Sequence, residues 1–218
     1  MNWIARLTAV LLGLGAFAAC EAAMRVNGSV SVAPGQTSGN ATTVNGDVHI
    51  GANARVEDVR TVNGDLTLGE GARASAMATV NGAIDIAAKA EVAGDMQTVN
   101  GALRLAPGSR VGGMLANVNG AITINGAHLV GQLRTVNGPV TLLDGARIDG
   151  GLLVLKPGAF HAGDSSPPPR IVIGRDVTVE GTLKFEREVR LYVSDHVKHL
   201  GPVEGATPVS YAGENAPN

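Results

Sequence analysis

The chain has 218 residues, a net charge of −2, 30 glycines, one cysteine and only 3% aromatic residues. A charge balance this close to neutral gives no general electrostatic case for nucleic acid. One cysteine excludes an internal disulfide and any zinc site built from several cysteines, and so few rings argue against an ordinary globular core.

Residues 1–19 read as a signal peptide. Arg6 supplies the positive start, and Leu7 to Ala19 is an apolar run of 13 residues, too short to span a bilayer comfortably as a helix. The cysteine, Cys20, stands where that run ends. Phe17-Ala18-Ala19-Cys20 resembles the lipobox of bacterial lipoproteins, in which the cysteine is lipidated and becomes the mature N-terminus. The resemblance implies lipid attachment at Cys20, a tether over residues 20–25 and the membrane as a partner. Glu21, where an aspartate would signal retention, implies the outer membrane as the address within the cell envelope. The alternative is a secreted protein, cut after Ala18 or Ala22.

Residues 26–155 form a repeat body. Val-Asn-Gly occurs seven times, with asparagines at Asn27, Asn45, Asn63, Asn81, Asn100, Asn119 and Asn137, spaced by 18, 18, 18, 19, 19 and 18 residues. A period this regular predicts a solenoid. Aliphatic residues recur every six within each unit: Val44, Ile50, Val56, Val62, Leu68, Ala74, Val80, Ile86 and Val92. After one-residue insertions the series resumes at Val99, Leu105 and Val111, then at Val118, Ile124, Val130, Val136, Leu142, Ile148 and Val154. Three inward aliphatics per unit predict an all-β fold, a three-sided single-stranded parallel β-helix of 18-residue coils. Its strands would stack about 4.8 Å apart. Asn-Gly marks one corner, since both residues enter the left-handed region readily and glycine permits close backbone approach.

The pattern breaks at residues 156–170, a surface loop containing Ser165-Ser166-Pro167-Pro168-Pro169, because proline cannot continue a central strand. It returns over residues 171–200 at Ile173, Val179, Phe185, Leu191 and Val197. Phe185, Tyr192 and Phe160 are expected to cap the open end of the core. Residues 201–218 read as a cap extension ending in a partly disordered tail.

Leu66-Thr67-Leu68-Gly69-Glu70-Gly71-Ala72-Arg73 and the run from Ile171 to Leu183 resemble rungs of the bactofilins, polymer-forming bacterial proteins with a right-handed three-sided β-helix. The Thr-Val-Asn-Gly unit also resembles a group of bacterial secreted or lipoprotein β-solenoids. Bactofilins of the usual type are cytoplasmic, so a cytoskeletal role does not transfer. The left-handed hexapeptide helix of acyltransferases shares the period. Period alone does not set handedness, and the wording of the rungs favours the right hand.

Candidate chemistry is sparse. The seven asparagines form one column, read as an internal hydrogen-bonded ladder. The competing reading is an outward array with Thr43, Thr61, Thr79, Thr98 and Thr135, similar to an ice-binding surface. A second column holds Arg55, Arg73, Glu91, Arg110, Leu129 and Arg147, whose four arginines would suit an anionic glycan or lipid head group. Asp47 and Asp65 lie on adjacent coils, but Ala83, Ala102 and Ala121 continue that column. The histidines His49, His128, His161, His196 and His199 do not converge on a metal site. No loop walls a cleft in the body, so no catalytic residues and no cofactor are expected. The function expected is a non-enzymatic, envelope-anchored solenoid that is structural, self-assembling end to end, or adhesive. A glycan-binding module is the alternative, and an ice-binding-like or acyltransferase-like protein stands third.

Overall fold

The computed structural model describes residues 23–157, 167–213 and 216–217. Within them the fold is all-β, with no helix. Parallel strands stack into a solenoid of about nine turns. Each complete coil has three faces, with one short strand to a face or one longer strand spanning two. The first face is a ten-stranded sheet running from Val30–Val32 to Val209–Tyr211, each strand in register with its equivalent one coil away. The second and third faces form one sixteen-stranded sheet, because Arg55–Arg60 and Arg73–Ala78 run unbroken through the corner between them.

The core is a column of aliphatics. In the coil after Asn45, the inward residues are Val48, Ile50, Ala54, Val56, Val59 and Thr61. From Val48 to Leu66 of the next coil, their separations run two, four, two, three, two and five residues. Strand alternation fixes the twos, and the corners supply the rest. The uniform six-residue count therefore fails at the Asn-Gly corner. The valines placed inside by that count (Val44, Val62, Val80, Val99, Val118) face outward, with Val44 37% exposed. Val136 also lies at this outer position but is covered. The preceding threonines Thr43, Thr61, Thr79, Thr98 and Thr135 are inside instead, each at most 1% exposed.

The extra residue of the 19-residue coils lies between Val92 and Met96, where Ala93-Gly94-Asp95 replaces the two-residue Ser75-Ala76. It adds a tight corner whose glycines continue as Gly113, Gly131, Gly150, Gly181 and Gly201, each with the backbone of the preceding coil pressed against it. The next coil loses one residue at a different corner, near Asn125-Gly126-Ala127. This moves the register, so Arg110 pairs with His128 and Val111 with Leu129. Leu129 is therefore a core residue and His128 takes its expected place in the arginine column. Val130 is only half-buried.

The chain leaves the stack after Leu152–Val154 and re-enters at Arg170–Ile173, so the proline-rich insertion replaces the Asn-Gly corner of the coil that follows Asn137. Coiling does not end at residue 200. Val203–Glu204 and Val209–Tyr211 add further strands within the segment expected to be an extension. Phe185 continues the inward column above Val154, and Tyr211 is buried, whereas Tyr192 lies outside with the Arg170 guanidinium 5.3 Å from its ring centroid. Arg170 also donates to the carbonyls of Ala216 (3.0 Å) and Pro217 (2.8 Å), tying the tail to the stack. The signal segment, Cys20, Phe160 and His161 lie outside the described residues.

Candidate functional site: the asparagine edge and the arginine column

The seven asparagines stand on the outside of the corner rather than within the core. Each side-chain amide donates to the amide oxygen of the coil below: Asn45 to Asn27, Asn63 to Asn45, Asn81 to Asn63, Asn100 to Asn81, Asn119 to Asn100 and Asn137 to Asn119. All six bonds measure 2.8–3.0 Å. An amide carries both donor and acceptor, so a column of them satisfies itself along the stack. Asn137 has no asparagine above it, and Arg187 Nη1 donates to its Oδ1 at 2.5 Å and to the Val136 carbonyl at 3.3 Å.

Beside this edge, inside the wall, runs a threonine column that sequence reasoning missed as a structural device. Thr43, Thr61, Thr79 and Thr98 donate their hydroxyls to the carbonyls of Gly28, Gly46, Gly64 and Gly82 in the coil below, at 2.9–3.2 Å. The corner turns these carbonyls out of the strand ladder, and the threonine hydroxyls give them the partner that the ladder does not. Asn117 replaces threonine once and uses both amide hydrogens, on Gly101 O (3.0 Å) and Gly120 O (2.9 Å). Buried threonines cannot form an ice-binding surface, which removes the outward threonine array. The signal that could have found this column is position: each threonine immediately precedes the corner valine, so the strand's inward side falls on one or the other.

Asp47 and Asp65 also serve the stack. Their carboxylates accept the backbone N–H of Asp65 (2.9 Å) and Ala83 (2.7 Å) from the next coil.

The second-face column reads Arg55, Arg73, Glu91, Arg110, His128, Arg147 and Thr178. Arg73 pairs with Glu91 at 3.3 Å. Arg110 Nη1 reaches His128 Nδ1 at 2.7 Å, and His128 Nε2 reaches Asp149 at 2.7 Å. A guanidinium only donates, so Nδ1 is an acceptor and Nε2–H donates to Asp149. Arg147 binds Asp149 at 2.7 Å and Glu180 at 3.3 Å. Arg73, Arg110 and Arg147 are thus spent on neighbours, and Arg55 alone among the four has no side-chain partner in the described residues.

Burial works to raise the Asp149 carboxyl, but hydrogen bonds and charge from His128 and Arg147 outweigh it and hold the group below its usual range. A carboxylate depressed by folding contributes stability that is complete above its unfolded value and fades as pH falls through the folded one. Asp149→Asn is expected to destabilise the protein by under about 1 kcal/mol at about pH 6, with the gap closing by about pH 2. Urea titrations at both pH values check this.

Among the described residues no group of three or more histidine, cysteine, aspartate or glutamate side chains is placed to hold a metal ion. His196 and His199 lean on Asp195 (3.5 Å) and Glu180 (3.7 Å). No family model, curated protein or solved structure matches this chain.

Proposed function

We propose that this chain is a non-enzymatic β-solenoid rod of the cell envelope, tethered through lipidated Cys20 and acting as a structural, self-assembling or adhesive element. The observation that carries the reading is how the polar columns are used. Asparagine, threonine and aspartate each bond the adjacent coil, and three of the four column arginines pair with neighbours. Residues spent on coil-to-coil contacts build a stiff rod rather than a reaction site. Among the described residues, the terminal strands at both ends of each sheet pair on one side only. Such edges are templates for another chain, and Val209 on the last strand is 52% exposed. End-to-end stacking of copies follows as the assembly mode.

The experiment is electron microscopy of the purified mature chain over a concentration series. Filaments that lengthen with concentration are expected. A strict monomer at the highest concentration rejects self-assembly.

A further inference from the structure

The chain contains eight Asn-Gly steps: the seven corners and Asn125-Gly126. Asn-Gly is the dipeptide most open to deamidation, because glycine has no side chain to hinder its own nitrogen. In that reaction the glycine nitrogen loses its proton to hydroxide and bonds the asparagine Cγ. The Cγ–Nδ2 bond breaks, ammonia leaves, and a succinimide closes. Water then opens the ring at either carbonyl, giving aspartate or isoaspartate. A hydrogen bond that holds the glycine N–H opposes the first step, since the proton must leave and the nitrogen must turn toward the side chain.

The fold supplies that protection at seven of the eight steps. The N–H groups of Gly28, Gly46, Gly64, Gly82 and Gly101 donate to the asparagine carbonyl of the next coil at 2.8–3.1 Å. Gly126 donates to Leu143 O at 3.0 Å, and Gly138 to Thr135 Oγ1 at 3.2 Å. Among the described residues, Gly120 is the one Asn-Gly glycine whose N–H has no partner.

At this corner Asn117 stands where the other coils carry threonine. Its second amide hydrogen takes the Gly120 carbonyl, the acceptor that Thr135 would use by analogy with the lower coils. The Thr135 hydroxyl accepts from Gly138 instead, within its own corner. Successive corner asparagines are paired through the backbone from Asn27 up to Asn119, but Asn119 and Asn137 are not. The Asn137 carbonyl is thereby withdrawn from Gly120. Meanwhile the Asn137 amide donates to Asn119 Oδ1 at 2.8 Å, which draws electrons from the Cγ under attack and steadies the oxygen as it gains charge.

We infer that Asn119 is a spontaneous modification site, the step at which the corner ladder deamidates first. Conversion to aspartate removes the amide donor to Asn100 Oδ1. Conversion to isoaspartate lengthens the backbone by one methylene and breaks the register between adjacent coils.

The test is peptide mapping by mass spectrometry after incubating the purified chain at mildly alkaline pH. One backbone hydrogen bond corresponds to about tenfold in rate, so Asn119 is expected to outpace Asn45, Asn63 and Asn81 by about that factor. Asn119 proceeding no faster than those three overturns the inference. So does a lead by Asn137, because the Arg187 contact to its Oδ1 would then decide the order instead of the free N–H. Asn117→Thr, which restores the residue of the other coils, is expected to slow Asn119 toward its neighbours. An unchanged rate in that variant, with its folded circular-dichroism spectrum retained, also counts against the inference.

Discussion

Gly101→Ala is expected to cost about 4 kcal/mol, among the largest losses a single methyl can cause. The position lies outside the left-handed region, so conformational freedom is not what demands glycine. A Cβ built there falls inside the van der Waals envelope of the Gly82 carbonyl oxygen, and Gly82 and Gly120 face the coils below them in the same way. Backbone is the obstacle, and the strand pairs on either side hold it in place. Relief would require parting two coils and with them the amide and threonine bonds of that corner. Gly35→Ala makes the contrast. Gly35 has φ +70° but no atom within 4 Å of a built Cβ, so its cost is the left-handed penalty alone, about 1 kcal/mol. Denaturant midpoints of the two variants separate close approach from backbone conformation. Equal losses would mean that the Gly82 backbone gives way to the new methyl and that close approach is not what demands glycine at position 101.

The solenoid was legible because its period is written in the chain: seven Val-Asn-Gly units at 18 or 19 residues admit few other folds. Ile50, Leu68, Ile86, Leu105, Ile124 and Leu142 were placed inside by the same count that the structure supports. What misled the count was the corner. Threonine and valine are both β-branched and of similar size, so composition does not say which enters the core, and the shift from six to five residues between Val56 and Thr61 leaves no trace in hydropathy. His128 was missed for a related reason. Counting in fixed steps assigns the extra residue to the wrong corner, and only the register of Arg110 with His128 reveals it. The pairings that occupy three of the four column arginines were partly readable, since Glu91 stands between Arg73 and Arg110. Asp149 and Glu180 belong to other positions of their coils and come into reach only through three-dimensional stacking.

Which side of the corner strand carries the core leads to the last expectation. Thr79→Val should cost about 2 kcal/mol, whereas Val80→Thr should fall within about 0.5 kcal/mol of the parent. Thr79 is fully buried, and its hydroxyl is the partner of the Gly64 carbonyl at 3.2 Å, to which no backbone N–H donates. Valine fills the same space but leaves that half-buried carbonyl without its donor, and an acceptor stripped of its partner costs more than a hydrogen bond gains. Val80 is half-exposed on the outer face, where a hydroxyl meets solvent. Thr79→Ser divides the effect further. It keeps the bond and gives up one methyl, a loss of about 1 kcal/mol. A measured order of Val worse than Ser at position 79 shows that the hydroxyl, more than the methyl, closes the corner. The reverse order would assign the threonine column to packing alone and leave the glycine carbonyls to some other donor.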